Sequence, residues 1–165
     1  MEFHVNNKFQ LKAFLLSLIL LFIQLKPIED SVFAAFLLLS SKNLYYILFI
    51  AVSFILTLTV LHESIHAFFY LVFGANIKLG FIGINPYIID VSKKHFSTVS
   101  YSIIILSPLI FISLLSLFFN SIFGSLIFYF NLFSSAGDIL LAFSLCSYPN
   151  SEFIDQSFGY TVYQK

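Results

Sequence analysis

The sequence predicts an all-α multi-pass membrane protein with about four transmembrane helices and a short β-like segment between the second and the third. Of its 165 residues, 59% are hydrophobic and only 10% are charged, and the mean hydropathy is +0.97. A soluble domain has about a quarter of its residues charged, and its interior is too small to bury so many apolar side chains. No polar stretch is long enough for a second unit, so we expect one membrane-embedded domain over residues 1–165.

Four apolar stretches provide the roughly 20 residues that one membrane crossing needs. They cover about residues 9–25, 43–74, 99–119 and 121–148. The first stretch ends at Lys26 and Pro27, and we interpret it as a retained anchor because charged residues follow it where a signal peptide would have a cleavage site. Residues 31–41 are apolar but too short to cross, which indicates an interfacial or re-entrant piece. Pro108 predicts a kink near the middle of the third span.

The segment between the second and third spans, residues 75–98, has a different composition. It contains lysine, glycine, proline and β-branched pairs, which predicts one or two short strands near a membrane surface. Four spans put this segment on the same side as both termini, and that side carries most of the lysines. The positive-inside rule therefore predicts that both termini lie in the cytoplasm.

The charge and cysteine content exclude several classes of function. The net charge is zero and the chain has no arginine, so we expect no nucleic-acid partner. The single cysteine, Cys146, excludes an internal disulfide framework and is interpreted as a small apolar filler. His4 and His95 fall in predicted loops, where a solvated surface histidine is expected.

Three ionisable residues, His62, Glu63 and His66, lie within five positions of the second apolar span. Each costs roughly 2.5–3.5 kcal/mol on insertion scales, so such residues persist when they pair or bind something. Residues four apart on a helix lie on one face, and two neutral imidazoles there suit Zn²⁺. Glu63 follows the first histidine, where it can reach a water at the metal. This is the His-Glu-x-x-His pattern of zinc hydrolases, and the alternative is a helix-packing cluster satisfied by hydrogen bonds.

Asp138 is the candidate third ligand. It is the only other acid well inside a predicted span, and counting residues puts it at the same depth as the two histidines. A carboxylate there also offsets the charge of a metal ion. The alternative is a structural aspartate that caps a helix broken at Gly137. Asn131 and Ser135 share the face of Asp138 and are possible auxiliary residues, although polar residues on such a face more often hold helices together.

These motifs resemble those of the site-2-protease-type membrane zincins and, more closely, a group of small bacterial zincin peptidases. His62, Glu63 and His66 match the helix that supplies two ligands and the general base in that family. Asn131 followed by Asp138 resembles the Asn…Asp-Gly element of a later helix that supplies the third ligand, although here Gly137 precedes the aspartate. The likeness covers roughly residues 43–148.

The resemblance implies a membrane-embedded metalloprotease with one Zn²⁺ ion, whose substrate is a membrane protein or peptide. Glu63 would act as general base toward water activated by zinc held on His62, His66 and Asp138. Residues 78–90 are a candidate for holding an unwound substrate by strand addition, and a plain surface hairpin is the alternative. The competing interpretation of the whole chain is a non-catalytic metal-binding or structural membrane protein with a zincin-like core. The oligomeric state is left open.

Overall fold

The computed structural model describes residues 2–4, 7–40, 42–82, 85–156 and 159–164. Within these residues the chain forms six helices and six strands. The helices are α1 (Asn7–Ile23), α2 (Leu25–Leu39), α3 (Leu44–Val72), α4 (Thr98–Ser116), α5 (Ser121–Ser134) and α6 (Ala136–Leu145). The strands are β1 (Glu2–His4), β2 (Ile77–Ile82), β3 (Asn85–Asp90), β4 (Phe96–Ser97), β5 (Ser151–Gln156) and β6 (Gly159–Gln164).

In the described part of the chain, two helices are long and apolar enough to cross a membrane on their own: α3 with 29 residues and α4 with 19. The number rises to four if each of two bent pairs is one span, namely α1 with α2, bent by 73°, and α5 with α6, bent by 51°. The most apolar window of α3 is 0% buried within the chain, so its large side chains face outward. An apolar surface of this extent is typical of contact with lipid. The fold is therefore consistent with a membrane protein of two to four spans.

The two long helices begin at polar caps. The Asn43 side chain accepts a hydrogen bond from the backbone N–H of Tyr46 at 2.9 Å, and α3 starts at the next residue. Ser97 does the same for the N–H of Ser100 at 3.1 Å at the start of α4. Gly74 follows α3 with φ +75°, a conformation that glycine adopts without steric cost. These local signals agree with the predicted bounds of the second span.

The fourth predicted span is not a single straight helix, whereas α1 (Asn7–Ile23) forms most of the first and is followed by a break at Gln24. The fourth breaks at Ser135, and because the break precedes Asp138 by three residues, this carboxylate lies in the first turn of α6. In the first, Pro27 does not end the helical region but lies in the first turn of α2, where its missing N–H would have no intrahelical partner. The short piece at residues 31–41 is largely the second half of α2, and the bent pair fits a broken span or a re-entrant loop.

Two sheets lie at one end of the helices. β2 and β3 form an antiparallel hairpin inside the predicted β-like segment, with Ile77 opposite Asp90. The sequence prediction omitted the second sheet, of order β1-β6-β5-β4, to which the C-terminal residues contribute two strands. β1 pairs with β6, and the hairpin contacts β5. The strands β1 and β6 therefore lie at the same end of the molecule as the hairpin.

An aromatic core fixes the larger sheet to the start of α4. The ring of Tyr101 stacks between Phe96 and Phe153, with ring centroids 6.0 and 5.7 Å apart, and Tyr160 meets it edge-on at 5.9 Å. All four side chains are at most 3% exposed. Burial of rings of this size contributes much of the stability at this end of the fold.

Asp155 joins the hairpin to this core. Its carboxylate accepts hydrogen bonds from the backbone N–H of Asp90 at 3.1 Å and from the Tyr101 hydroxyl at 2.8 Å. Burial raises the pKa of the Asp155 carboxyl from 3.8 to about 6, because the hydrogen bonds do not fully replace the lost hydration and the nearby Asp90 carboxylate repels its charge.

We expect the Asp155 carboxyl to make the fold less stable as the pH rises from about 4 to about 6. A carboxyl with a folded-state pKa above its unfolded value binds more protons when folded, so its contribution is fully present below about pH 4 and lost above about pH 6. The loss is about 3 kcal/mol at pH 7, because the pKa rises from 3.8 to about 6 and each unit corresponds to about 1.4 kcal/mol. Thermal unfolding in detergent at pH 4.5 and pH 7.5 measures this loss of stability. The wild type should show the loss between the two pH values, and Asp155→Asn should not. Asp30→Asn, at an exposed position, is the control, and identical pH profiles for wild type and Asp155→Asn would contradict the prediction.

Candidate metal centre

Two histidines from α3 and one aspartate from α6 meet at one point. His62 and His66 are one helical turn apart, and their ring centroids are 4.9 Å from each other. The Asp138 Oδ2 atom lies 3.1 Å from His62 Nε2 and 3.7 Å from His66 Nε2. One ligand atom from each of the three side chains lies within 4.8 Å of the other two. The helix break at Ser135 gives α6 the direction that brings its first turn to α3.

These separations fit a shared ion. Zinc ligands at 2.0–2.2 Å in a tetrahedral arrangement lie about 3.3 Å from one another, close to the two distances observed. Among the described residues, the Asp138 Oδ2 and His62 Nδ1 atoms are buried without a hydrogen-bond partner, so the close approach of Oδ2 to the imidazoles is not a well-aligned hydrogen bond. Buried polar atoms are nearly always paired, and a divalent cation would satisfy this carboxylate oxygen. The donor set of two imidazoles and one carboxylate is one that catalytic zinc sites use.

A proline in α4 provides the partner of the second imidazole. Pro108 has no N–H, so the carbonyl of Ile104, four residues earlier, has no helical partner at that position. This carbonyl accepts a hydrogen bond from His66 Nδ1 at 2.9 Å and another from the Ser107 hydroxyl at 2.8 Å. Because a carbonyl oxygen only accepts, the proton of His66 lies on Nδ1, which leaves the Nε2 lone pair directed toward Asp138. Such outer partners fix the tautomer and orientation of metal-binding histidines.

We expect Pro108→Ala to weaken zinc binding about ten-fold. The new backbone N–H competes with His66 for the Ile104 carbonyl, and loss of an outer partner typically lowers metal affinity by 10–100-fold. Competition with a fluorescent chelator on the purified protein measures the change, with circular dichroism to check the helices. Pro27→Ala, in the exposed first turn of α2, is the matched control. Equal zinc affinity in both variants would show that the proline has no part in holding His66.

Glu63 lies beside the three converging groups. It is partly buried, near enough to both imidazoles and to Asp138 for electrostatic interaction, and the backbone N–H of Ile88 in β3 donates a hydrogen bond to its carboxylate. Together with His62 it also forms one end of a cavity between α3 and α5. The carboxylate is therefore held at the border between the hairpin, the candidate metal position and this cavity.

The two auxiliary candidates have different environments. Asn131 is 2% exposed, and its amide donates to the Leu109 carbonyl at 3.1 Å and the Ser113 hydroxyl at 3.3 Å, so it holds α5 to α4 as the commoner interpretation expected. Ser135 is 0% exposed at the helix break, and its hydroxyl has no hydrogen-bond partner within the part of the chain that the structure describes. Neither residue lines the cavity that Glu63 borders.

His95 and Cys146 lie away from this site. His95 approaches Glu152 at 3.1 Å on the larger sheet, and Cys146 is an exposed free thiol after α6 rather than a buried filler. The side chain of His4 lies outside the described residues. Sequence reasoning missed the Ile104 carbonyl and the Ile88 N–H, which are backbone groups with no signature in the residue types, and interpreted Pro108 only as a kink.

Comparison with known proteins agrees with this geometry. A family model described as "Putative zincin peptidase" matches residues 55–153, more than half of the chain, and the match includes both histidines, Glu63 and Asp138. No curated protein matches the chain, and no solved structure does. The resemblance found in the motifs is confirmed at the level of the family. The chain belongs to the zincin peptidase family.

Proposed function

We propose that this protein is a membrane-embedded zinc metallopeptidase of the site-2-protease type, which hydrolyses peptide bonds within or beside the membrane. The observation that carries the proposal is the approach of Asp138 Oδ2 to the Nε2 atoms of His62 and His66, at 3.1 and 3.7 Å, with Glu63 next to them. A metal carrier needs only the ligands, whereas a peptidase also needs a base at this position.

Each residue of the candidate site has a separate chemical role in this proposal. His62, His66 and Asp138 would hold one zinc ion, which when bound polarises the scissile carbonyl and activates water. Glu63 accepts the proton of the attacking water and delivers it to the leaving amine. The Ile88 N–H keeps the Glu63 carboxylate pointing into the site. His66 keeps its Nε2 lone pair available because its other nitrogen donates to Ile104.

The depth of the site determines the form of the substrate. His62 and His66 precede the end of α3 by ten and six residues, so they lie about 15 and 9 Å from it along the helix axis. A transmembrane helix satisfies its own backbone hydrogen bonds, so a substrate segment must unwind before its peptide bond is accessible. The hairpin lies next to Glu63 and is a candidate surface for the unwound segment. The N–H groups of Ile88 and Asp90 in β3 already donate to Glu63 and Asp155, so a segment added at the outer edge of β3 would donate to the carbonyl groups of that strand. Positions 83 and 84 of this hairpin lie outside the described residues.

The sheets and the lysines support an orientation with both termini in the cytoplasm. The pairing of β1 with β6 supports one side for both termini, and the lysine distribution favours the cytoplasm for that side. The site would then lie nearer the cytoplasmic face, and its substrates would be cut on that side of the membrane.

Metal analysis and peptide hydrolysis test the proposal together. We expect about one zinc per chain in detergent-purified protein, a large loss of zinc in His66→Ala, and no loss in His95→Ala, which changes the histidine just before β4. Hydrolysis of fluorogenic apolar peptides in micelles should stop after treatment with 1,10-phenanthroline and return with added zinc. Protein without bound metal, or hydrolysis that survives the chelator, would contradict a zinc peptidase.

A further inference from the structure

A groove between α3 and α5 opens directly from the candidate metal centre. The α3–α5 groove has a volume of about 440 Å³, within the usual range for ligand sites. Its lining residues come from one face of each helix: Ile55, Leu58, Thr59, His62 and Glu63 on α3, and Phe130, Phe133 and Ser134 on α5. From Ile55 to Glu63 it extends about 12 Å along α3, away from the hairpin.

The walls of the groove suit an apolar occupant. Its two hydroxyl groups donate to their own helices, Thr59 to the Ile55 carbonyl at 3.0 Å and Ser134 to the Asn131 carbonyl at 2.9 Å. Neither hydroxyl therefore directs a proton donor into the space. Phe130 is held in the opposite wall by an edge-to-face contact with Phe54, with ring centroids 5.8 Å apart. A charged side chain at this depth would be strongly disfavoured.

The connection of the groove to the site identifies the kind of occupant. His62 and Glu63 form its end, so a group that fills it touches the side chains that would act on the scissile bond. The groove is also open on its outer side, because Ile55 is 47% exposed and Phe133 is 40% exposed, and an apolar side chain can enter from lipid without crossing water. A substrate segment that meets Glu63 from the hairpin side continues into this space.

We propose that the α3–α5 groove is a specificity subsite that receives a large apolar side chain, such as leucine or phenylalanine, next to the scissile peptide bond. This inference rests on the proposed peptidase function, because it assigns the groove to that substrate. It gives the substrates a chemical class: membrane segments with a bulky apolar residue at the cleavage position. Alanine at that position leaves the groove largely empty, and such a difference in an apolar pocket is worth ten-fold or more in affinity.

Two zinc-binding probes of different size test the subsite. N-acetyl-phenylalanine hydroxamate and N-acetyl-alanine hydroxamate share the group that binds zinc and differ only in the side chain. Calorimetry on the zinc-loaded protein in micelles should give a Kd about ten-fold lower for the phenylalanine probe. Thr59→Phe fills the groove from α3 and Ser134→Phe fills it from α5, and each should reduce this ratio to near one while zinc remains bound. Val60→Phe, on the adjacent outward face and 63% exposed, should keep the wild-type ratio.

The outcomes separate the two proposals. Equal affinity of the wild type for both probes, with zinc bound, would overturn the subsite and leave the peptidase function standing. A ratio that survives both filling variants would also overturn it, and a tightly held lipid that is lost from those variants would assign the groove to an acyl chain instead. Protein that binds neither zinc nor either hydroxamate would refute the peptidase function and the subsite with it.

Discussion

Glu63→Gln is expected to abolish peptide hydrolysis while zinc and the fold are retained. Glutamine has nearly the same shape as glutamate and can still accept the hydrogen bond of the Ile88 N–H, so the position of the side chain is preserved. The amide has no basic oxygen that takes a proton from water, and loss of a general base costs about 10²–10⁴-fold in rate. The zinc ligands are unchanged by the substitution. A rate near the detection limit with normal zinc content is therefore the expected result.

The measurement compares rates and metal content in the same preparations. Glu29→Gln makes the same chemical change at an exposed position of α2 and should leave both quantities at wild-type values. If Glu63→Gln still cleaves at more than about a tenth of the wild-type rate, Glu63 is not the base. If the variant loses zinc as well, the Glu63 carboxylate has a structural or metal-ligating role in addition to the proposed role as a base.

Local sequence signals predicted part of the fold. The rest depends on contacts between residues far apart in the chain, which could not be predicted from the sequence. The cap at Asn43 and the glycine at Gly74 delimit α3, so its bounds follow from neighbouring residues. The break at Ser135 has no proline to mark it, and the sequence suggested a break only as an alternative and two residues later, at Gly137. The pairing of β1 with β6 joins residues from opposite ends of the chain, and nothing in the polar C-terminal residues alone indicates their partner.

The candidate site, like the fold, could be predicted from the sequence only in part. The spacing of His62 and His66 puts both imidazoles on one helical face, and Asp138 was found because few other acids lie within apolar stretches. These arguments depend only on residue types and their spacing, so they can be made from the sequence alone. The groups that orient the site, the Ile104 carbonyl and the Ile88 N–H, are backbone atoms whose position depends on how α4 and the hairpin pack against α3. Only a structure reveals them.

Asp138→Asn is expected to lower zinc affinity by about a hundred-fold or more. The substitution replaces a charged ligand with a neutral amide, so the ion loses an anionic partner in surroundings of low dielectric, where charges interact strongly. Loss of an outer partner alone costs 10–100-fold, and Asp138 is a proposed direct ligand. Competition with chelators of graded affinity gives the dissociation constants, and Asp30→Asn at an exposed position of α2 is the matched control.

The same variant distinguishes a ligand from a structural aspartate that caps α6. A capping role stabilises the helix with or without metal, so its loss would lower the unfolding temperature of both forms by a similar amount. An aspartate that ligates the metal stabilises the fold only through the bound ion. An ion bound to the native state adds stability according to its concentration and its affinity. The described residues give the buried Asp138 Oδ2 atom no hydrogen-bond partner, so replacing it should cost the metal-free protein little stability. We therefore expect Asp138→Asn to remove most of the stabilisation that added zinc gives the wild type and to leave the unfolding temperature of the metal-free form nearly unchanged. Equal destabilisation of both forms would assign Asp138 to the helix rather than to the metal.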